Sequence, residues 1–254
     1  MTDIFRIFDT YSRQARLYPA LLVLLPWFVL ALCAMPSLLN SETTAKILGL
    51  VASCGVIFLL SDLSRLSGKK VERRLLSEWG GWPTTLFLRH ADDRLNAQSK
   101  TRYHTFLARN VPGLILPTAF DEANDNFSAY EAFGSGVEWL KEQCRGSEFS
   151  LLLRENASYG FRRNMLGLKP FALAGSIAIA AIIVLSFARW HGAGYTVTLG
   201  RTEWSAPLQF WLALTVAVAS FVAWLAFVRR SWVRSAADTY ALTLLACCDK
   251  LKTN

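Results

Sequence analysis

Side chains that could bind an anion follow a tight turn in the first half of the chain. Arg89, His90 and Arg94 come shortly after the sequence Trp-Gly-Gly-Trp-Pro at residues 79–83. Guanidinium and imidazolium groups bind phosphate oxygens through charge-assisted hydrogen bonds. The two glycines can adopt positive φ and the proline restricts the residue before it, so the chain must turn here. Two interpretations are compatible: the turn aims these side chains at an anion, or it is a tight corner between helices packed by the two tryptophans.

Further basic and aromatic side chains extend this candidate anion site. Arg and Lys neutralise phosphates, and aromatic rings stack on nucleobases. Attraction to lipid headgroups is the alternative for the cations next to apolar segments, and pairing with Asp92, Asp93 or Glu72 is the alternative for the others. The predicted nucleotide or nucleic-acid contacts are Lys69, Lys70, Arg73, Arg74, Arg89, His90, Arg94, Arg102, His104, Arg162 and Arg163, with Trp79, Trp82, Tyr103 and Tyr159 as stacking partners.

The sequence lacks the residue patterns that common enzymes need. It has no nucleophile elbow, phosphate-binding loop, zinc-protease helix or dinucleotide fingerprint. The three histidines have no catalytic partner that the sequence fixes beside them, and the five cysteines form no CxxC pair. We therefore predict a protein that is not an enzyme and needs no metal or cofactor. A membrane-bound hydrolase or transferase is the open alternative.

The composition is typical of an integral membrane protein. Of the 254 residues, 53% are hydrophobic and only 18% are charged, and the net charge is +8. Four apolar segments long enough to be membrane-spanning helices are predicted at residues 19–39, 47–63, 170–188 and 208–228. They form two hairpins, covering residues 19–63 and 170–228. The spans contain almost no ionisable residue, which disfavours an ion-coupled transporter.

The remaining segments divide into a lead-in, a central domain and a tail. Residues 1–18 are predicted to form an amphipathic lead-in, and residues 229–254 a C-terminal amphipathic helix. Residues 64–169 are polar with helical periodicity, so the predicted fold is all-α, with this domain inserted between spans two and three.

Local signals place helix ends within the central domain. Thr84 or Thr85 is the predicted N-cap of the helix after the turn. A capping box at Thr118 and Asp121 predicts another helix start. Two glycines, at residues 134 and 136, are predicted to end that helix.

Lys and Arg beside the spans indicate the orientation. They are abundant on the side shared by both termini and residues 64–169, whereas the other side carries Lys46, Arg189 and Arg201. Positive residues favour the cytoplasmic side. Both termini and the central domain are therefore predicted to face the cytoplasm of a bacterium, with the spans in its inner membrane.

Two sequence motifs resemble those of a group of bacterial four-span membrane proteins. The first is WGGxPTTxxLRH at residues 79–90, followed by KxRYH at residues 100–104, and the second is ENxxYGFRRNxxGLKP at residues 155–170. The layout also resembles membrane effectors of anti-phage systems of the Hailong and CBASS types, which are paired with a nucleotidyltransferase. This resemblance implies a homo-oligomer, with a tetramer favoured, a cytosolic nucleotide sensor and a membrane pore that stops growth when it opens.

The leading interpretation is a gated pore, and a scaffold is its rival. Apolar rings can close a pore by excluding water, with Ser53, Ser176, Thr215 and Ser220 as the predicted pore-lining residues. The central domain runs directly into spans two and three, so its rearrangement would pull on membrane helices. The alternative is a non-enzymatic membrane scaffold in which those helices are rigid extensions and the cytosolic helices bind a protein partner.

Overall fold

The computed structural model describes residues 10–34, 42, 49, 56–192 and 208–251. Regular structure in these residues is entirely helical, which confirms the all-α fold. A short helical turn, Thr10–Ser12, and a π-helical turn, Arg13–Leu17, lead into the first long helix. We label the helices α1 (Tyr18–Ala34), α2 (Val56–Trp79), α3 (Pro83–Leu86), α4 (Ala97–Asn110), α5 (Ala119–Asn124), α6 (Asn126–Gln143), α7 (Ser150–Gly192), α8 (Leu208–Phe227) and α9 (Arg230–Leu245).

The chain divides into two compact units. The membrane unit contains the described residues of Met1–Lys69 and Phe161–Arg229, and the polar unit contains those of Lys70–Gly160 and Arg230–Asn254. Helices α2 and α7 each contain residues of both units, whereas α9 belongs to the polar unit. The sequence predicted α9 only as a separate C-terminal helix. Its place in the polar unit was not predictable, because α9 contacts residues that are distant in the chain.

Three helical segments of the described chain are long and apolar enough to cross a membrane. They are Arg13–Ala34, Ser147–Ser186 and Phe210–Phe227. They contain most of the predicted spans 19–39, 170–188 and 208–228. Residues 47–48 and 50–55 of the predicted span 47–63 lie outside the described residues, so the fourth span stays a prediction.

Small and branched apolar residues form the core of the membrane unit. Ile179 and Ile183 of α7 pack with Ala213 and Ala217 of α8, and all four are buried. Half-buried side chains of α1, including Val29 and Leu30, cover this cluster. Without a hydrophobic driving force in lipid, such close packing is what holds spans together.

Helix α7 passes through Pro170 without a break over its 43 residues. The sequence had placed the end of the central domain and the start of a span at this proline. A proline removes one backbone hydrogen bond, and the apolar surroundings of a span favour a continuous helix over exposed backbone. The end of the predicted central domain and the predicted third span are thus parts of one helix.

A second apolar core holds the polar unit together. Phe87, Leu88, Leu107, Phe133 and Leu140, from α4, α6 and the segment after α3, are almost completely buried. Helix α9 and the 3-10 turn after it, Ala246–Asp249, complete this core with Ala241, Leu244, Leu245, Cys247 and Cys248.

Local sequence signals predicted the helix ends of the polar unit with mixed success. The capping box of α5 is confirmed, since Thr118 and Asp121 exchange hydrogen bonds. The predicted break at residues 134 and 136 is wrong, because α6 continues through both glycines. A Cβ at Gly136 would lie 3.2 Å from the Leu114 side chain, so this glycine permits close packing and does not end the helix.

The helix after the Trp-Gly-Gly turn also starts earlier than predicted. Trp82 is the N-cap and Pro83 the first helical residue, so Thr84 and Thr85 lie inside α3 and are buried. A proline suits the first helical position because its missing N–H would have no partner there. Residues 87–96 then form turns before α4 begins.

Candidate functional site

The Trp-Gly-Gly turn fixes the entry to the candidate site. Gly80 and Gly81 have φ of 79° and 138°, the positive region that favours glycine. A Cβ at Gly81 would come within 2.6 Å of the Tyr130 ring. The Tyr130 hydroxyl accepts a hydrogen bond from the backbone N–H of Trp82 at 2.9 Å. The turn therefore belongs to a specific joint with α6.

A buried carboxylate receives the two predicted site residues that follow the turn. Glu122 of α5 accepts a 2.8 Å hydrogen bond from Arg89 Nε and a 2.7 Å hydrogen bond from the backbone N–H of His90. Burial alone would raise the pKa of Glu122, but these hydrogen bonds lower it overall. Arg89 is thus tied into the fold and holds α5 in place.

Two more of the predicted arginines pair with acidic side chains of the polar unit. Arg94 forms an ion pair with Asp92 and lies 4.2 Å from the centre of the Phe87 ring. Arg102 lies 3.2 Å from Asp249, beside the C-terminal end of the unit. An anionic ligand at either arginine would have to compete with a carboxylate already in place.

The two predicted histidines contact each other edge-to-face, and His104 stacks on Phe133. The rings of His90 and His104 are 5.0 Å apart, and His104 lies 5.3 Å from the Phe133 ring. Their Nε2 atoms lie 2.9 Å and 2.7 Å from the carbonyl oxygens of Pro117 and Leu88. Because a carbonyl can only accept, each Nε2 is the donor, and the Nδ1 of a neutral ring keeps its lone pair.

Burial lowers the pKa of His104 and opposes its protonation. A groove of about 450 Å³ lies beside this pair and is lined by His90, Lys100 and His104 as well as Asp92 and Asp93. Lys100 is buried and donates to the backbone carbonyls of Arg89 and Asp92. The groove is therefore mixed in charge. No group of three or more His, Cys, Asp or Glu that could hold a metal ion occurs in the described part of the chain.

The predicted stacking residues are mostly covered. Tyr103 and Tyr159 are buried, and the hydroxyl of Tyr159 donates to Glu72 at 2.8 Å. The guanidinium of Arg234 covers Trp79 at 4.7 Å. Trp82 is 40% exposed, with Lys141 at 5.6 Å from its ring. Of the four aromatics, Trp82 offers the most open face.

A row of cations on α2 has a different character. The side chains of Lys69, Lys70, Arg73 and Arg74 are exposed. None of these four forms an ion pair with the residues that the structure describes. Spacings of three and four residues place Lys70, Arg73 and Arg74 on neighbouring turns of one helix. We call these four residues the basic row.

The second sequence motif builds joints within each unit. In the membrane unit, Asn164 is completely buried and its Nδ2 donates to the carbonyl of Ala15 at 2.6 Å. Ala15 is buried in the π-helical turn, so this hydrogen bond joins α7 to the turn that leads into α1. Arg163, also buried, donates to Asn164 at 3.1 Å. The predicted contact Arg163 is therefore turned into the protein, and Arg162 is half-buried.

Close helix packing and a helix cap complete this motif. A Cβ at Gly167 would lie 2.5 Å from the backbone of Ser67, so α2 and α7 approach closely here. Lys169 Nζ donates to the carbonyl of Val228 at 2.7 Å and of Leu225 at 3.3 Å. A lysine at the C-terminal end of a helix satisfies carbonyls that lack intrahelical partners.

The predicted pore-lining residues differ in exposure. Ser176 is buried and donates to the Ala172 carbonyl, whereas Thr215 is exposed and donates to Trp211. Ser220 is half-buried, and Ser53 lies outside the described residues. Each of the two hydroxyls with a described bond is satisfied within its own helix.

Sequence reasoning missed several partners of the predicted residues. Glu122, Asp249 and Tyr130 receive Arg89, Arg102 and Trp82. Of these three partners, only Glu122 had a local signal in the sequence. It follows Asp121 of the capping box, in a stretch without cations that could pair with it. Asp249 lies 147 residues from Arg102, beyond any helical spacing.

No protein-family model, curated protein or solved structure matches this chain.

Proposed function

We propose that this protein is an oligomeric bacterial inner-membrane effector that senses an anionic nucleotide or short nucleic acid and opens an ion-conducting pore. One observation carries the proposal: α7 is a single helix of 43 residues that contains residues of the polar unit and a segment long and apolar enough to span a membrane. A displacement of its polar part is transmitted without an intervening linker. The resemblance to anti-phage effectors supports a defence role and a partner nucleotidyltransferase that produces the signal.

The basic row supports an anionic ligand. Its four cations are exposed and without ion pairs among the described residues, so in this part of the chain no carboxylate competes with phosphates for them. Arg89, Arg94 and Arg102 are committed to Glu122, Asp92 and Asp249. We therefore assign first contact with the ligand to the basic row, and base stacking to the open face of Trp82.

An exposed hydroxyl on α8 supports a pore made by several copies. Thr215 is exposed on α8 beside Trp211 and Leu212, which are also exposed. Its hydroxyl is satisfied by the Trp211 carbonyl, so it can face lipid, a neighbouring copy or water without an unpaired donor. Orientation with the polar unit in the cytoplasm follows from the Lys and Arg beside the spans.

The proposal is tested by electrical recording. Purified protein is inserted into a planar bilayer, and current is recorded before and after adding a mixture of short oligonucleotides and cyclic nucleotides. The variant K70E/R73E/R74E should lose the response, and R109E, which changes an exposed cation of α4, should keep it. A silent bilayer under every condition, with inserted and folded protein, would refute the pore.

A scaffold is the second candidate, and the internal ion pairs favour it. Arg89, Arg94 and Arg102 act inside the polar unit, as expected of a rigid platform. A scaffold would conduct no current and would depend on a cytosolic protein partner. Loss of cellular function after removal of that partner, with no effect of nucleotides, would favour this reading over the pore.

A further inference from the structure

Three large apolar side chains stand out from the polar unit. Ile115, Phe120 and Phe127 are 86%, 75% and 72% exposed, more than any other large apolar side chain of that unit. They lie on the segment before α5, on α5 and at the start of α6. The three side chains lie within 13 residues of the chain, and exposed apolar patches outside membrane-spanning helices mark interaction surfaces.

Negative charge accompanies these side chains. Residues 115–131 contain no Lys or Arg, although the chain as a whole carries a net charge of +8. Asp121, Asp125 and Glu131 are exposed, and none of them forms an ion pair with the described residues. We call Ile115, Phe120, Asp121, Asp125, Phe127 and Glu131 the acidic–aromatic surface.

The fold holds this surface in a defined shape. Asp121 completes the capping box of α5 by accepting from the backbone N–H of Thr118, and Asp125 caps α6 by accepting from the backbone N–H of Ser128. Glu122, the next residue after Asp121, points inward to Arg89 and the His90 amide. Because the buried Glu122 anchors α5 to the unit, the nearby Phe120 remains exposed to solvent. A preformed surface loses little entropy on binding.

The basic row has the complementary chemistry. Lysine and arginine carry apolar stems that cover hydrophobic surface, and a guanidinium binds the face of an aromatic ring. The polar unit already uses such contacts, with Arg94 over Phe87 at 4.2 Å and Arg234 over Trp79 at 4.7 Å. Cations and carboxylates that lie on different elements and make no ion pairs with the described residues favour an intermolecular pairing.

We propose that the acidic–aromatic surface of one copy binds the basic row of a second copy. This inference rests on the proposed function, since it names the neighbour that occupies the ligand site in the absence of ligand. A surface that binds a different surface on the next copy gives a head-to-tail contact, which generates a ring if the rotation closes. Phosphates and the neighbour's carboxylates then compete for the same cations, so the ligand regulates contacts between copies.

Charge reversal tests the contact without any ligand. The oligomer distribution of detergent-solubilised protein is measured by mass photometry over a range of protein concentrations. Either D125K/E131K or R73E/R74E should raise the concentration for half-assembly by about tenfold, because each places like charges opposite each other. Mixing the two variants should restore assembly into mixed oligomers. At alternate contacts, the intact basic row of D125K/E131K meets the intact acidic–aromatic surface of R73E/R74E.

Matched variants and outcomes make the test decisive. E138K and R109E change exposed charges outside both surfaces and should assemble as the wild type does. F120S/F127S should weaken assembly without changing any charge. Unchanged assembly of D125K/E131K, or weakened assembly that mixing does not restore, would overturn the proposal. Because D125K/E131K leaves the basic row intact, this variant should still bind a fluorescent oligonucleotide. If the wild-type protein does not bind the oligonucleotide, that result contradicts the proposed function and not the contact between copies.

Discussion

At the residue scale, the buried carboxylate of Glu122 organises the polar unit. It accepts from Arg89 and from the His90 amide, and its residue is only 3% exposed. In Glu122→Gln, an NH₂ group replaces one carboxylate oxygen and cannot accept a hydrogen bond. Either Arg89 Nε or the His90 amide then lacks its acceptor. We expect the variant to lose about 2–3 kcal/mol of unfolding free energy, because a buried donor is left unsatisfied.

This loss can be measured by urea unfolding in detergent. Glu131→Gln is the matched control, because that carboxylate is exposed and makes no ion pair with the described residues. Its effect should stay within about 0.5 kcal/mol. Equal stability of the two variants would contradict the anchoring role of Glu122.

His104 gives the polar unit a dependence on pH. Burial lowers its pKa below the usual 6.5 in the folded chain. The unfolded chain therefore binds a proton at a higher pH than the folded chain does. The contribution to stability is complete above about pH 6.5 and decreases as the pH falls from there to the lowered folded pKa.

His104→Gln should reduce this dependence, because glutamine keeps a donor for the Leu88 carbonyl but does not titrate. The measurement compares the free energy of unfolding at about pH 7.5 and about pH 5.5 in the two proteins. The wild type should lose more stability between these values than the variant. An identical loss would contradict the assignment to His104.

Three buried thiols should be chemically inert in the folded protein. Burial raises the pKa of Cys144 and Cys248 to about 12, and raises that of Cys247. Since the thiolate is the reactive form, labelling with Ellman's reagent should be slow until urea unfolds the polar unit. A C33S/C54S variant restricts labelling to these thiols. Rapid labelling of the native variant would contradict the packing of the C-terminal turn.

At the element scale, the crossing of α2 and α7 depends on Gly167. Its Cβ position lies 2.5 Å from the Ser67 backbone, which cannot move aside as a flexible side chain can. Gly167→Ala should therefore separate the two helices and lower the melting temperature. Gly134→Ala, at a helical position with nothing within 4 Å, should be neutral or stabilising. A thermal melt of both variants checks this difference, and equal melting temperatures would contradict the close crossing.

Periodicity and capping were enough to predict most helices but not their joints. The capping box at Thr118 and the apolar segments were readable because their signals lie within a few residues of each other. The pairing of Arg102 with Asp249 was not, since no local pattern connects residues so distant in the chain. The glycines of α6 misled for a physical reason: burial of Phe133 and Leu140 outweighs the helix propensity of two glycines.

The same distinction applies to the candidate site. Residue types alone grouped the basic row correctly on one helix, and its exposure is visible in the structure. Types alone could not separate those cations from Arg89 and Arg94, which serve inside the fold. Such a distinction needs the positions of the carboxylates, and tertiary packing sets these.

At the scale of the whole molecule, two helices contain residues of both units. Helix α2 carries the basic row, and α7 carries both the Tyr159–Glu72 and the Asn164–Ala15 joints. In the proposed function, a ligand on the basic row would act on an element that is packed against α7 at Gly167. The proposed function thus relies on the continuity of α7 to couple ligand binding to pore opening.

The most direct measurement is the ligand-dependent current of a protein in which α7 has been interrupted. A flexible Gly-Ser insertion between Gly160 and Phe161 breaks the helix at the boundary of the two units. The same insertion after Gly113, an exposed turn residue with φ of 69°, is the control. We predict that both proteins bind a fluorescent oligonucleotide, but only the control conducts when ligand is added. A wild-type current from the interrupted protein would contradict transmission through α7.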